Sequence, residues 1–262
     1  MNIIVCVKHV PETAEAELSI DDAKKDVKKE GLVFDINEWD EYAIEEALLI
    51  KERLGGYVTV ITAGGEESEQ TLRKCLAKGA DEAVRITDKA FERSDAYVMA
   101  RILHRAILAR KFDLVFTGVQ TSDESSALVG PVLAQLLGIS CATLVKKIEI
   151  SGNKIKVHRE LEAGFEEMLE LTLPAVLTIQ TGINEPRYVS VAGIRKAAQR
   201  EIKVLGLKDL DLKEDEVGEA GSWTRIVEMS VPPPTKAVQI LKGGPEEVSG
   251  RIVEILKERG VA

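Results

Sequence analysis

Apolar positions in the first 120 residues come in two alternating textures. Ile3-Ile4-Val5-Cys6-Val7, Val58-Thr59-Val60-Ile61-Thr62, Ala83-Val84-Arg85-Ile86 and Leu114-Val115-Phe116-Thr117-Gly118 are short runs rich in β-branched side chains and read as strands. Each gives way to polar or glycine residues and then to a helical period. After Asn37, the side chains of Ala43, Ile44, Ala47 and Leu48 share one helix face; Asn37 and Asp40 stand at capping-box-like positions, and Gly55-Gly56 ends the run. Leu72, Cys75 and Leu76 mark a second helix that stops at Gly79, while Val98, Ile102, Ala106 and Ile107 mark a third, from an N-cap at Ser94 to about Arg110. Strand-helix alternation predicts an α/β fold: a mostly parallel twisted sheet with helices on both faces, and ligands in the crevice at the carboxyl ends of its strands.

The second half reads differently. Residues 125–145 carry no charge over 21 positions, about the length of a bilayer span. Pro131, Gln135 and Gly138-Ile139-Ser140 interrupt them, and Leu128, Val132, Leu136 and Leu137 keep helical spacing, which predicts a helix followed by a strand and no membrane insertion. Ile148-Glu149-Ile150 and Ile155-Lys156-Val157 alternate around Ser151-Gly152-Asn153, an antiparallel hairpin signal. Residues 173–180 form another apolar strand, and 184–200 a polar, proline-containing stretch leading into a short helix. From 206 regular pattern is sparse until 245–259, where Val248, Ile252, Ile255 and Leu256 stripe a closing helix behind a Pro232-Pro233-Pro234 stiffener. The expected division is an α/β domain over 1–205 and, over 206–262, an arm and helix that dock on another polypeptide.

Composition sharpens this picture. With 5 Phe, 4 Tyr and 2 Trp, the core must be built from Val, Ile, Leu and Ala, as suits strands buried under helices on both faces. A net charge of -9 repels phosphate backbones, so nucleic acid is an unfavourable partner. Cys6, Cys75 and Cys141 form no CxxC pair, and the 3–7 run is too short for a signal-peptide core, so the expected compartment is a reducing cytoplasm.

Catalytic motifs are missing. GxGxxG, the P-loop, HExxH and GxSxG do not occur, and His9, His104 and His158 fall on different elements. What remains are three loops after core strands: 8–13, with Lys8; 62–66, whose Ala63-Gly64-Gly65 lets a ligand approach the backbone; and 118–126, whose Gln120, Ser125 and Ser126 stand just before a helix N-terminus. Either they cradle a nucleotide phosphate or they are ordinary polar loops with Ser126 as a helix cap.

Val5-Cys6-Val7-Lys8-His9-Val10-Pro11-Glu12-Thr13, Ile36-Asn37-Glu38-Trp39-Asp40-Glu41-Tyr42-Ala43, Cys75-Leu76-Ala77-Lys78-Gly79-Ala80-Asp81, Val157-His158-Arg159-Glu160-Leu161-Glu162 with Leu173-Pro174-Ala175-Val176, and Asn184-Glu185-Pro186-Arg187-Tyr188 together resemble the β-subunit of electron transfer flavoproteins. The resemblance covers nearly the whole chain. It implies a heterodimer with an α-subunit that carries one FAD, and a β-subunit crevice that holds AMP or a second FAD. It places nucleotide contacts at Cys6, 37–40 (Asn37 and Asp40 among them), Ala63 and 123–132 (Asp123, Ser125, Ser126, Val129 and Gly130), and adds Lys8, Gly64 and Gln120 as members of the same loops. Thr13 and Arg159 would approach a flavin, Arg159 being otherwise a hairpin salt bridge to Glu160 or Glu162; Val191 would anchor partner dehydrogenases. Val10-Pro11-Glu12-Thr13 looks like members that hold a second FAD and bifurcate electrons from NADH, which favours FAD over AMP. Two departures stand out: Glu124-Ser125-Ser126-Ala127 where many members have a Gly-Asp-Thr-Gly-like run, and Asn37-Glu38 for Asn-Pro. The expected function is an electron-carrier subunit between dehydrogenases and a quinone-linked oxidoreductase, with no catalysis of its own; the rival reading is a stand-alone adenine-nucleotide sensor.

Overall fold

A computed structural model describes residues 1–13, 16, 18–233, 238 and 240–261. In chain order its elements are β1 (Asn2–Cys6), β2 (His9–Pro11), β3 (Phe34–Ile36), α1 (Glu38–Leu54), β4 (Tyr57–Ala63), α2 (Glu69–Lys78), β5 (Glu82–Ile86), α3 (Ala96–Leu108), β6 (Leu114–Gly118), α4 (Val129–Leu137), β7 (Ser140–Ser151), β8 (Lys154–Glu160), β9 (Glu166–Thr172), β10 (Ala175–Ile179), α5 (Val191–Ala198), β11 (Ile202–Leu205), α6 (Gly218–Gly221) and α7 (Pro245–Glu258). The main sheet has the order β11-β5-β4-β1-β6-β10-β7-β8-β9, parallel from β11 to β7 and antiparallel beyond.

Period-two alternation along β1 explains the two-faced core. Ile3 and Val5 enter one cluster with Ala43, Ile44, Ala47 and Leu48 of α1 and Leu72 and Cys75 of α2. Ile4 and Cys6 point the other way, into a cluster with Val98, Ile102 and Ala106 of α3 and Leu133 of α4. Strands buried on both faces leave no room for polar alternation, which is why these runs are continuously apolar. The charge-free 125–145 stretch is indeed a helix and a strand: α4 ends at Gly138, whose left-handed φ of 66° turns the chain into β7. No described helix is long and apolar enough to cross a membrane.

Several expectations need correction. The N-cap of α3 is Asp95, whose carboxylate accepts the Val98 N–H at 2.9 Å; Ser94 instead donates to the Phe91 carbonyl at 2.7 Å. The hairpin forms around Gly152-Asn153, with Ser151 opposite Lys154, but it continues into β9, which the sequence reading missed because the Glu166-Glu167-Met168-Leu169-Glu170-Leu171 strand is nearly all exposed. After residue 206 the chain first stays with the body: Leu210, Leu212 and Val217 are buried in the α3 cluster. Trp223 is largely exposed yet stacks on Tyr97 at 4.1 Å, the Trp223 and Thr224 N–H groups donate to Asp95, and the Met229 N–H donates to the Lys24 carbonyl, so the chain stays tied to the body as far as Met229; α7 has no buried residue at all. Pro232 and Pro233 are exposed, whereas Pro234 of the proline triplet lies outside the described residues.

Candidate functional site

Strands β4 and β5 lie to one side of β1 and β6 to the other, so the sheet reverses its winding between β1 and β6. Ligands of open parallel sheets lie beyond the carboxyl ends of the strands at such a point. There two of the three loops predicted from sequence, 8–13 and 118–126, are tied into a knot by the first turn of α1. Asp40, buried, accepts the Lys8 N–H at 2.7 Å and the Gly118 N–H at 2.9 Å. Asn37, fully buried, donates through Nδ2 to the Gln120 carbonyl at 2.9 Å and accepts the Ser122 N–H at 3.2 Å. The capping-box expectation for these two is therefore wrong: Asn37 makes no side-chain cap, because both side chains turn away from their own helix to join neighbouring loops. Gly118 permits the close approach, since a Cβ there would lie 2.5 Å from Asp40 Oδ1 and 2.6 Å from Trp39 Cβ.

Burial sets the electrostatics of the knot. It pushes the Asp40 carboxyl up to about 7, although the Lys8 and Gly118 N–H groups favour its ionised form. Cys6, beneath it, is pushed up to about 12 by burial and by the Asp40 charge, so its thiol is protonated and inert. Lys8 is part-buried; its ammonium holds Asp123 at 2.7 Å and Glu124 at 3.1 Å. Burial opposes ionisation of Asp123, but the Lys8 charge together with hydrogen bonds from Lys8, Thr121 and its own backbone outweighs it and the carboxyl lies below its usual value.

The second loop adds small residues. Thr62 donates to the Val7 carbonyl at 2.8 Å, stitching β4 to β1 above Cys6, and Gly64 continues the ladder to Ile86 at 3.0 Å beside the half-buried Ala63. In the third loop Ser125 and Ala127 adopt left-handed φ of 51° and 52°, a cost of order 1–3 kcal/mol each that non-glycine residues bear chiefly at functional turns. Ser126 is not a helix cap, the alternative reading of this loop: α4 begins at Val129 with Leu128 as N-cap and no side-chain cap bond, so the Val129 and Gly130 N–H groups are free of a side-chain cap and Pro131 has no N–H to offer. Gly130 seats α4 on the sheet, because a Cβ there would fall 2.4 Å from Thr178 Cγ2.

Not every candidate joins the knot. Thr13 is exposed, two residues beyond the end of β2. Arg159 lies on β8, where it donates to Thr143 at 3.1 Å and Glu167 at 3.3 Å, so the expected pairing with Glu160 or Glu162 is replaced by a bond across to β9; its Nε is buried without a partner. Glu160 instead accepts from Gln180 Nε2 at 3.2 Å, and Gln180 Oε1 accepts from Trp39 Nε1 at 3.0 Å, a relay from the knot to the antiparallel strands that no motif announced.

A second surface surrounds Val191, which is 69% exposed beside Tyr188 and Ile194. The segment before it is clamped to α1: Arg187 binds buried Glu45 at 2.9 Å and Glu52 at 2.6 Å, and Asn184 donates to Glu46 and to the Tyr42 carbonyl at 3.1 Å. Glu45 and Glu46 escaped sequence reading because acids next to an apolar stripe look solvated; their burial comes from the 184–190 segment covering them. A depression of about 400 Å³ lined by Asp88, Glu92, Glu214 and Glu219 together with Lys89 and small or apolar residues touches none of the three loops.

Residues 26–210 match the family model described as electron transfer flavoprotein domain. The chain is 42% identical to the electron transfer flavoprotein subunit beta of Thermoanaerobacterium thermosaccharolyticum over 262 residues, all of both chains. It is 40% identical to that of Methylophilus methylotrophus over 98% of each chain, and 37% identical, over all of both chains, to the caffeyl-CoA reductase-Etf complex subunit CarD of Acetobacterium woodii. Likeness of this extent, on a chain whose crevice was first located from strand order and loop chemistry, settles the kinship: the chain belongs to the electron transfer flavoprotein β-subunit family.

Proposed function

We propose that the chain is the β-subunit of a heterodimeric electron carrier, binding an adenine nucleotide at the β1/β6 switch point and pairing with a flavin-binding α-subunit. The observation that supports this most directly is the Asn37–Asp40 knot, which spends two buried polar side chains on holding the strand-end loops after β1 and β6 in register around a crevice. The start of α4, which has no side-chain cap, suits a phosphate, while Gly118 lets Asp40 and Trp39 pack against the β6 end and so fixes the floor of the crevice. FAD is the occupant we favour over AMP, on Val10-Pro11-Glu12-Thr13, with NADH as electron donor in a bifurcating carrier; Thr13 and Arg159 are then the residues toward its ring. A flavin, when bound, supplies the redox chemistry, and this chain's residues bind, orient and tune it. The absence of acid-base and nucleophile motifs suits such a division of labour.

Docking of the outer part of the 206–262 arm on the α-subunit, beyond the stretch buried against α3, accounts for its exposed apolar side chains, among them Val231, Ile252 and Val253. A dehydrogenase, or a quinone-linked oxidoreductase, would engage the Val191 surface in the cytoplasm. The test is to co-produce the chain with its α-subunit, denature the yellow complex and identify what is released. Two FAD per complex and no AMP is the expected result; one FAD and one AMP would leave a simple carrier and exclude the bifurcating assignment. A stable, colourless protein that ignores any flavin-binding subunit would favour the nucleotide-sensor alternative.

A further inference from the structure

Lys8 is the one Lys or Arg in loops 8–13, 62–66 and 118–126, so it is the cation available to an anionic ligand in the crevice. It is already engaged by two carboxylates, which is one more than its charge can neutralise. The two are not held alike. Asp123 makes the shorter contact, is the less exposed of the pair at 27% against 54%, and also accepts from the Thr121 hydroxyl. Among the described residues Glu124 pairs with Lys8, and it is followed directly by Ser125 in a left-handed conformation.

We propose that Glu124 acts as a displaceable phosphate mimic: its carboxylate occupies the second side of the Lys8 ammonium and must leave when a nucleotide phosphate arrives, thereby setting the affinity of the crevice. The proposal rests on the nucleotide reading above and adds an affinity-determining residue to it. A phosphate brings one to two further negative charges to an ammonium that already has two partners, so one carboxylate has to yield. The weaker-held and more exposed Glu124 is the one that does. Breaking its pair with Lys8 costs the ligand part of its binding energy, and any residual proximity adds like-charge repulsion. Removing the charge should therefore tighten nucleotide binding by about three- to tenfold at low salt, the range expected of one part-exposed ion pair plus a repulsive contact.

The experiment titrates AMP, and separately FAD, into the full-length protein stripped of nucleotide, comparing the natural chain with Glu124→Gln and with Glu214→Gln. The last removes the same charge from an exposed site away from the loops. The expected result is tighter binding by Glu124→Gln alone, competed by inorganic pyrophosphate, with the advantage shrinking as salt is raised from about 0.05 to 0.5 M. Equal affinities, a matching gain in Glu214→Gln, or weaker binding by Glu124→Gln would each overturn the mimic while leaving a nucleotide site in place. If no form binds AMP, FAD or pyrophosphate, the nucleotide reading fails first and the mimic with it. Melting temperatures within about 2 °C of each other, as expected for exposed surface changes, show that the comparison concerns binding and not folding.

Discussion

Asp40 shows how much one side chain is asked to do. A carboxylate that is only 4% exposed ordinarily costs stability, yet this one is the bond between the loops after β1 and β6. Its folded-state value of about 7 stands above the 3.8 of an unburied aspartate, so the folded chain holds the proton more tightly than the unfolded chain. The associated stability is fully present below about pH 4, declines as pH rises toward 7 and is gone above it. Asp40→Asn lacks this titration, so unfolding free energies of the natural chain and the variant should converge or cross as pH rises from 4.5 to 8, with a relative change of order 2–4 kcal/mol. Urea melts at a series of pH values measure it. Parallel curves would mean that Asp40 stays ionised throughout, with its two N–H partners outweighing burial. At any pH the variant leaves one of the Lys8 and Gly118 N–H groups facing an amide instead of an oxygen, a penalty of about 1–3 kcal/mol.

At the level of elements, what was legible in the sequence is what burial dictates. The strands β1, β4, β5 and β6 and the helices α1 to α4 were readable because each has an unbroken apolar run or stripe that only one period satisfies. Missed or misplaced were features decided by contacts between distant segments. β9 takes its strand form from pairing with β8, the Asn37 and Asp40 side chains take their direction from loops some 80 residues away, and Leu210 and Leu212 are buried because α3 offers them a surface. Position at strand ends singled out the loops 8–13 and 118–126, which the first turn of α1 brings together through Asn37 and Asp40, whereas Arg159 lies beyond them on β8. The seat of α4 gives a test at this scale. Gly130→Ala would push a methyl against Thr178 Cγ2 at 2.4 Å and Thr117 Oγ1 at 2.8 Å, so α4 must lift and carry its N-terminus away from the crevice. A loss of about 1–3 kcal/mol is expected. Combining it with Thr178→Ser removes the nearer methyl but keeps the hydroxyl that accepts the Leu144 N–H, and should recover part of the loss. Additive effects in the double variant would show that the helix and sheet do not meet at that point.

The whole molecule divides into a closed body and two open surfaces. A charge of -9 spread over the chain makes the exposed cations Arg195 and Lys196 on α5 locally unusual, and they adjoin the apolar trio Tyr188, Val191 and Ile194. An apolar anchor rimmed by charge is how a transient protein contact is commonly built. Its rigidity comes from behind: Gly193 packs so near α2 that a Cβ would lie 2.3 Å from the Ala77 carbonyl, Lys78 donates to the Arg187 carbonyl at 2.9 Å, and Ser190 caps the helix through the Gly193 N–H. Partner docking thus predicts a clean separation between function and fold. Val191 is the first residue of α5 and 69% exposed, and a carboxylate at a helix N-terminus is favoured by the helix dipole, so Val191→Asp should leave the melting temperature unchanged or slightly raised. If Val191 is the anchor, losing its apolar contact and placing a charge in the partner's pocket should cost more than about 2 kcal/mol, or about 30-fold in the affinity for an acceptor dehydrogenase. Stopped-flow reduction of that acceptor by the flavin-loaded complex reads the effect directly, and the flavin content of the complex should not change. Unaltered transfer kinetics would move the docking site elsewhere on the surface, whereas a fall in melting temperature with normal kinetics would mean that Val191 serves the packing of α5 and not a partner.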